Sequence, residues 1–276
     1  YFHNRKTIEA KLFLFFAAVF SVWVFLDILL WATNDPGFVL FAWSIQVLAE
    51  PLMYATAFYL FYAFVHKKIP QFRTNLFITL LFLPLILFLP TNLTVDTVYL
   101  SFCETDEGII ASHDSYILNI ILIFLTAFVG VRGIASLSAE RKRAAIYFII
   151  GLVVFLISFT AANALSSYTG DWTYSQYGLF AMPIFSAFIA YSIVQFKAFQ
   201  IQIAGAQILV VVLWGLVFSL LLVNPDKFRL IAGVTLFFTT IAGLLLLTSV
   251  RKEFKQKLKK YLNYLKMKQY KKLKNF

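Results

Sequence analysis

Apolar runs of roughly 18–25 residues follow one another along this chain, and the charged residues gather in short clusters between them. A run of that length is what a helix needs to cross a bilayer. Eight runs are predicted as spans, at about 12–32, 38–65, 74–90, 114–131, 144–165, 177–196, 206–223 and 229–250. The joins support the count. "NDPG" at 34–37 is a turn signal, Pro70 breaks helix in "KKIPQFR", and "GIASLSAERKR" and "NPDK" punctuate later joins. The expected fold is all-α: a polytopic membrane helix bundle of about eight transmembrane helices over residues 1–250, then a C-terminal basic cytoplasmic helix over 251–276. The stretch "TNLTVDTVYLSFCETDEGIIASHDS" is read as the longest loop on the outer side.

Composition agrees with that pattern. The chain is 61% hydrophobic and 13% charged, whereas a soluble domain carries about 25% charged residues. Its 32 phenylalanines are explained by rings facing lipid or neighbouring helices. No signal peptide is expected, because "YFHNRKTIEAK" is polar and the run after it is too long for a signal h-region. The lone Cys103 excludes an internal disulfide.

Charge adds an orientation. With the N-terminus cytoplasmic, Arg5, Lys6, Lys11, Lys67, Lys68, Arg73, Arg132, Arg141, Lys142, Arg143 and Lys197 fall inside, as do all eleven basic residues from Arg251 onward. Lys227 and Arg229 fall outside. This positive-inside bias places both termini in the cytoplasm of a multi-pass plasma-membrane protein. The net charge of +11 therefore belongs to span flanks facing anionic lipid headgroups, and nucleic acid is not an expected partner. The outer side is acidic, with Asp35, Asp96, Glu104, Asp106, Glu107, Asp114, Asp171 and Asp226. That reads either as simple exclusion of positive residues or as a cation or cationic-peptide contact through Glu104, Asp106 and Glu107. Asn92–Thr94 matches a glycosylation acceptor, and Trp31 and Trp172 suit an interfacial aromatic belt.

Five polar residues inside the spans are the candidate site. Asp27 lies about 7 Å from the outer end of the first span, and Glu50 about 18 Å into the second, close to the midplane. A free charge at either depth is costly, so each should be neutral, hydrogen-bonded or in a wet cavity. Pro51 bends the helix beside Glu50 and removes a backbone donor, so a protonated Glu50 could serve a freed carbonyl. Gln46, Asn119 and Asn163 fall in the outer halves of spans. With Asp27 they line a pocket open to the outside, or else act as hydrogen-bonding glue between helices. No position supplies the second group that acid–base catalysis needs. His3, His66 and His113 lie outside the spans without metal-ligand spacing, and there is no phosphate loop, GxSxG elbow or HExxH. The last span has no lysine for a retinal Schiff base, and no cofactor is expected.

Two stretches, "FAWSIQVLAEPLMYATAFYLFYAFVHKK" and more specifically "SAFIAYSIVQFKAFQIQIAGAQILVVVLW", resemble the N-terminal multi-span, seven-transmembrane-type sensor region of bacterial membrane histidine kinases. The resemblance runs from about residue 10 to 255. It implies a sensory input domain whose last span feeds a cytoplasmic signalling helix, a homodimer, and a cytoplasmic response regulator as partner. The chain carries neither the phosphoacceptor His box nor an ATP-binding segment of that family, so no catalytic residue carries over and enzyme activity is left open. "YFHNRK" reads as a loop following an earlier helix. The tail from Arg251 repeats Phe254, Leu258, Tyr261 and Leu265 at spacings of 4, 3 and 4, the start of a coiled-coil seam. Lys268 and Lys272 break it, so the tail is either an output helix or an anchor on anionic lipid. Alternatives to the sensor are a small-solute or ion transporter with Glu50 as its site, and a non-catalytic membrane adaptor.

Overall fold

The computed structural model describes residues 8–33, 35–89, 91–99 and 104–181, with scattered single positions between 184 and 244. In chain order it contains α1 (Ile8–Ala32), α2 (Pro36–His66), α3 (Phe72–Phe88), strands β1 (Val95–Tyr99) and β2 (Glu104–Glu107), a π-helical turn (Ile110–Ser115), α4 (Tyr116–Ile134), α5 (Ala139–Thr169) and a 3-10 segment (Trp172–Phe180). Four stretches are long and apolar enough to cross a membrane: Ile8–Leu30, Pro36–His66, Ile110–Ile134 and Arg141–Thr169. They match the first, second, fourth and fifth predicted spans.

The other predicted spans are not shown in this way. The third predicted span is a 17-residue helix, α3, about 25 Å long and short of a full crossing when upright. The sixth predicted span opens as the 3-10 segment before leaving the described residues. The spans at 206–223 and 229–250, and the basic helix at 251–276, lie outside the described residues apart from single positions. The fold is mostly helical rather than all-α, because the presumed outer loop forms an antiparallel hairpin pairing Val95 with Glu107 and Tyr99 with Glu104. Valine, threonine and tyrosine in "VDTVY" suit a strand.

Local chemistry sets the helix ends. The "NDPG" turn is the start of α2: Asp35 Oδ1 accepts from the Phe38 amide at 2.7 Å, and Pro36 takes the first turn, where no amide partner is needed. At its other end Lys67 adopts a left-handed conformation, and its amide donates to the Ala63 carbonyl at 2.8 Å. The first turn of α5 takes in Glu140 to Arg143, because long basic side chains can keep their heads in water while the backbone stays helical.

Helix α2 is the hub, packing on α1, α4 and α5. Rings from α1 and α5 meet edge to face: Phe20 with Phe155 at 5.6 Å and Trp23 with Phe159 at 4.8 Å. Phe148 of α5 meets Phe64 of α2 at 5.4 Å. Each such pair contributes about 0.5–1.5 kcal/mol beyond area burial, which matters where lipid cannot drive helices together hydrophobically. The buried Tyr54 hydroxyl joins α2 to α5 by donating to the Leu156 carbonyl at 2.9 Å.

The bundle has two unlike ends. At one, Lys67 pairs with Glu9, and Arg141 donates to the Phe64 carbonyl at 3.3 Å. At the other, the hairpin meets the end of α5, where the Trp172 indole donates to the Thr105 carbonyl at 3.2 Å. Among the described residues, every lysine and arginine lies toward the first end, and Asp35, Asp96, Asp106, Glu107, Asp114 and Asp171 lie toward the second. The hairpin closes at Gly108, whose amide donates to the Thr94 carbonyl at 3.0 Å. A Cβ there would sit 2.3 Å from the Leu93 carbonyl, so only glycine permits this backbone approach.

Candidate functional site

The five polar residues sort onto matching helix faces. On α1, Trp23, Asp27 and Leu30 recur at spacings of 4 and 3; on α2, Trp43, Gln46 or Val47, and Glu50 recur likewise, so each set lines one face. The two faces meet at the hairpin end around a cavity of about 40 Å³. Asn163 of α5 and Ser115 of the π-helical turn close its sides, and Glu107, Trp172 and Ser175 cover its top. The described residues lining it include no lysine, arginine or histidine.

Glu50 is the centre of the polar network. Asn119 Nδ2 donates to one carboxyl oxygen at 2.9 Å, and Asn163 Nδ2 donates to the other at 2.8 Å. One side chain thereby ties α2 to α4 and α5. Glu50 lies deep in the bundle yet keeps accessible surface, because its open side faces the cavity. Its oxygens engage two amides instead of the backbone carbonyl freed by Pro51. Gln46 Nε2 donates to the Trp23 carbonyl at 3.1 Å, fixing α1 against α2 at the same level. Asp27 is buried on the α1 wall. The structure thus brings Asp27, Gln46, Glu50 and Asn163 to one cavity, with Asn119 behind Glu50.

Glu50 is not at the depth its place in α2 suggests. It sits 14 residues, about 21 Å, from Pro36, but its partner Asn163 is six residues, about 9 Å, from the end of α5. The first turns of α2 rise past α5, so that Trp43 packs edge-on against Trp172 at 4.6 Å. Glu50 therefore belongs to the hairpin half of the bundle rather than to its middle.

Several site residues lay hidden in the sequence. Trp172 is a buried wall of the cavity and not an exposed belt residue. Asp106 and Glu107 point to opposite sides of β2, as strand alternation requires: exposed Asp106 accepts from Thr97 Oγ1 at 2.9 Å, while Glu107 turns inward. They cannot form one cation site, and no group of three or more metal-ligating side chains occurs among the described residues. Thr94 of the presumed glycosylation acceptor is buried, its hydroxyl donating to the Phe88 carbonyl at 2.7 Å. That residue serves the turn after α3.

Glu107 accepts from Ser167 Oγ at 2.6 Å and from the Tyr116 hydroxyl at 3.4 Å. Burial pushes its carboxyl up to about 6 from 4.5, and the two hydrogen bonds oppose that rise. A raised carboxyl pKa means the folded state binds the proton more tightly than the unfolded chain. The associated stability is present below pH 4.5 and is lost as pH rises through 6, by at most about 2 kcal/mol. Thermal unfolding in detergent between pH 4.5 and 7.5 is therefore expected to show a midpoint falling with pH, and Glu107→Gln should flatten that slope. An equal slope in the variant would assign the effect to another group.

No protein-family model, no curated protein and no solved structure matches this chain.

Proposed function

We propose that this chain is a membrane-embedded sensory input domain, of the kind that feeds a two-component histidine kinase, with its receptor site in the hairpin-end cavity. The observation that carries this reading is the convergence of α1, α2, α5 and the hairpin on one small polar cavity, with α4 joined to it through Asn119 and Glu50. A ligand there would touch α1, α2, α5 and the hairpin at once, so it could bias how these elements pack. Signalling requires that the ligand bind two packings of the bundle unequally. The acidic hairpin end is taken as external, because the basic residues gather at the opposite end and such residues favour the cytoplasmic side. On that orientation both termini are cytoplasmic in the plasma membrane. The basic tail would meet anionic lipid or transmit the shift within a homodimer to a kinase and its response regulator.

The decisive experiment is a signalling assay in the protein joined to its output. Asp27→Asn and Glu50→Gln are each expected to shift the stimulus threshold or the basal output by severalfold, a coupling of about 1–3 kcal/mol. Unchanged output from both would remove the cavity from the signalling path. A transport reading is favoured by one detail: Pro51 withholds the amide that would bind the Val47 carbonyl, and Val47 lines the cavity. Transporter substrate sites lie at interrupted helices, and Pro51 weakens one turn of α2 without breaking it. Solute flux in proteoliposomes that Glu50→Gln abolishes would establish that reading instead.

A further inference from the structure

Resting on the cavity as the receptor site, we propose that its ligand is a small organic cation presenting a primary ammonium group. The first support is a lining whose described residues hold carboxyl groups and no cationic side chain. Three carboxylates, Asp27, Glu50 and Glu107, line the cavity. The carbonyl of Val47 loses its usual helical donor to Pro51. Most directly, Asn163 is 98% buried and lines the cavity, and its Oδ1 has no hydrogen-bond partner among the described residues. Asn163 Nδ2 is committed to Glu50, so its buried oxygen stays beside the site without a donor among the described residues. Asn119 Oδ1, on the far side of Glu50, is in the same condition. The Trp43 Nε1 is the opposing case, a donor without a partner among the described residues. A buried acceptor without a donor is costly, and an ammonium group brings three donors and a positive charge at once.

The second support is the wall. Trp23, Trp43 and Trp172 all line the cavity, and Trp43 and Trp172 stand edge to face at 4.6 Å. Tryptophan faces attract cations within about 6 Å of the ring centre, most strongly where water is excluded. The third is size. About 40 Å³ holds roughly three water-sized groups, which fits an ammonium with a short carbon stem and excludes bulky quaternary amines. A bare metal ion fits poorly, since the carboxylates come from α1, α2 and β2 and do not converge as a metal-ligand group.

Binding is read by tryptophan fluorescence of the full chain in detergent, titrated with methylammonium chloride against sodium chloride at equal ionic strength and against methanol as a neutral counterpart. The expected result is a saturable change with methylammonium alone, weakened about tenfold by Glu50→Gln, the loss of one charge-assisted contact. Glu107→Gln, outside the long helices, is expected to weaken it severalfold and keeps the test decisive if Glu50→Gln fails to fold. Methanol binding as well as methylammonium would overturn the cation assignment while leaving a receptor cavity. Binding of neither probe, or a titration indifferent to both substitutions, would overturn the cation site. The receptor reading is judged separately, by the signalling output of the Asp27 variant.

Discussion

Replacing Glu50 by leucine is expected to destabilise the bundle by about 2–4 kcal/mol, whereas glutamine is expected to cost less than about 1 kcal/mol. The difference follows from the geometry. Leucine leaves two amide groups, Asn119 Nδ2 and Asn163 Nδ2, without the acceptors they have at 2.9 and 2.8 Å. Each orphaned donor costs about 1–3 kcal/mol in a dry interior. The lower part of that range applies in a lipid-embedded bundle, where the unfolded helices find other partners. Glutamine keeps one acceptor oxygen. Its amide can donate to either asparagine oxygen, both of which lack partners among the described residues, after one asparagine turns over. Denaturant titration in detergent, followed by circular dichroism, checks the pair. If leucine is as stable as glutamate, the carboxyl does not tie the three helices together. If leucine is destabilising and glutamine is not, Glu50→Gln becomes a clean probe of charge in the binding and signalling assays.

Some of this arrangement was legible because polar residues are rare in apolar runs. Asp27, Gln46, Glu50, Asn119 and Asn163 stand out in the sequence for that reason, and four of them reach one cavity while the fifth supports it. The break between the first two helices was equally visible in "NDPG", although its role as the cap of α2 was not. What the sequence concealed were relations between elements. Helical spacing links Trp23 to Asp27 and Trp43 to Glu50, but spacing on one helix does not reveal which face meets which. The depth of Glu50 depended on how far α2 overshoots α5, a matter of packing rather than of residue count. Glu107 was read with Glu104 and Asp106 as one acidic run. Strand alternation separates Glu107 from Asp106, and the pairing of Val95 with Glu107 places the inward residue at the hairpin's base. The charged start of α5 failed as a boundary signal because a helix can carry its basic residues beyond the apolar layer.

Trp172→Ala is the second large effect, and it tests whether the hairpin is part of the cavity or merely lies above it. Trp172 sits in a small cluster with Leu26, Leu30, Val39, Trp43 and Val95, which joins α1 and α2 to β1. Its ring packs on Trp43, and its indole donates to the Thr105 carbonyl of β2. One side chain thus holds the hairpin from the side while Gly108 and Glu107 hold its base. Removing a buried tryptophan costs about 3–5 kcal/mol. Because the loss falls on one local contact set, it should appear first as local opening rather than global unfolding. Amide exchange across 104–108 is expected to accelerate by roughly a hundredfold to a few thousandfold, since each 1.4 kcal/mol is a factor of ten. Trp172→Phe keeps the ring contact and loses one hydrogen bond of about 1 kcal/mol, so its acceleration should stay within roughly tenfold. Unchanged exchange in the alanine variant would mean that the hairpin holds itself. Faster exchange in 104–108, together with weakened ligand binding, would make the hairpin a working wall of the site, so that whatever enters the cavity must also fix the hairpin in place.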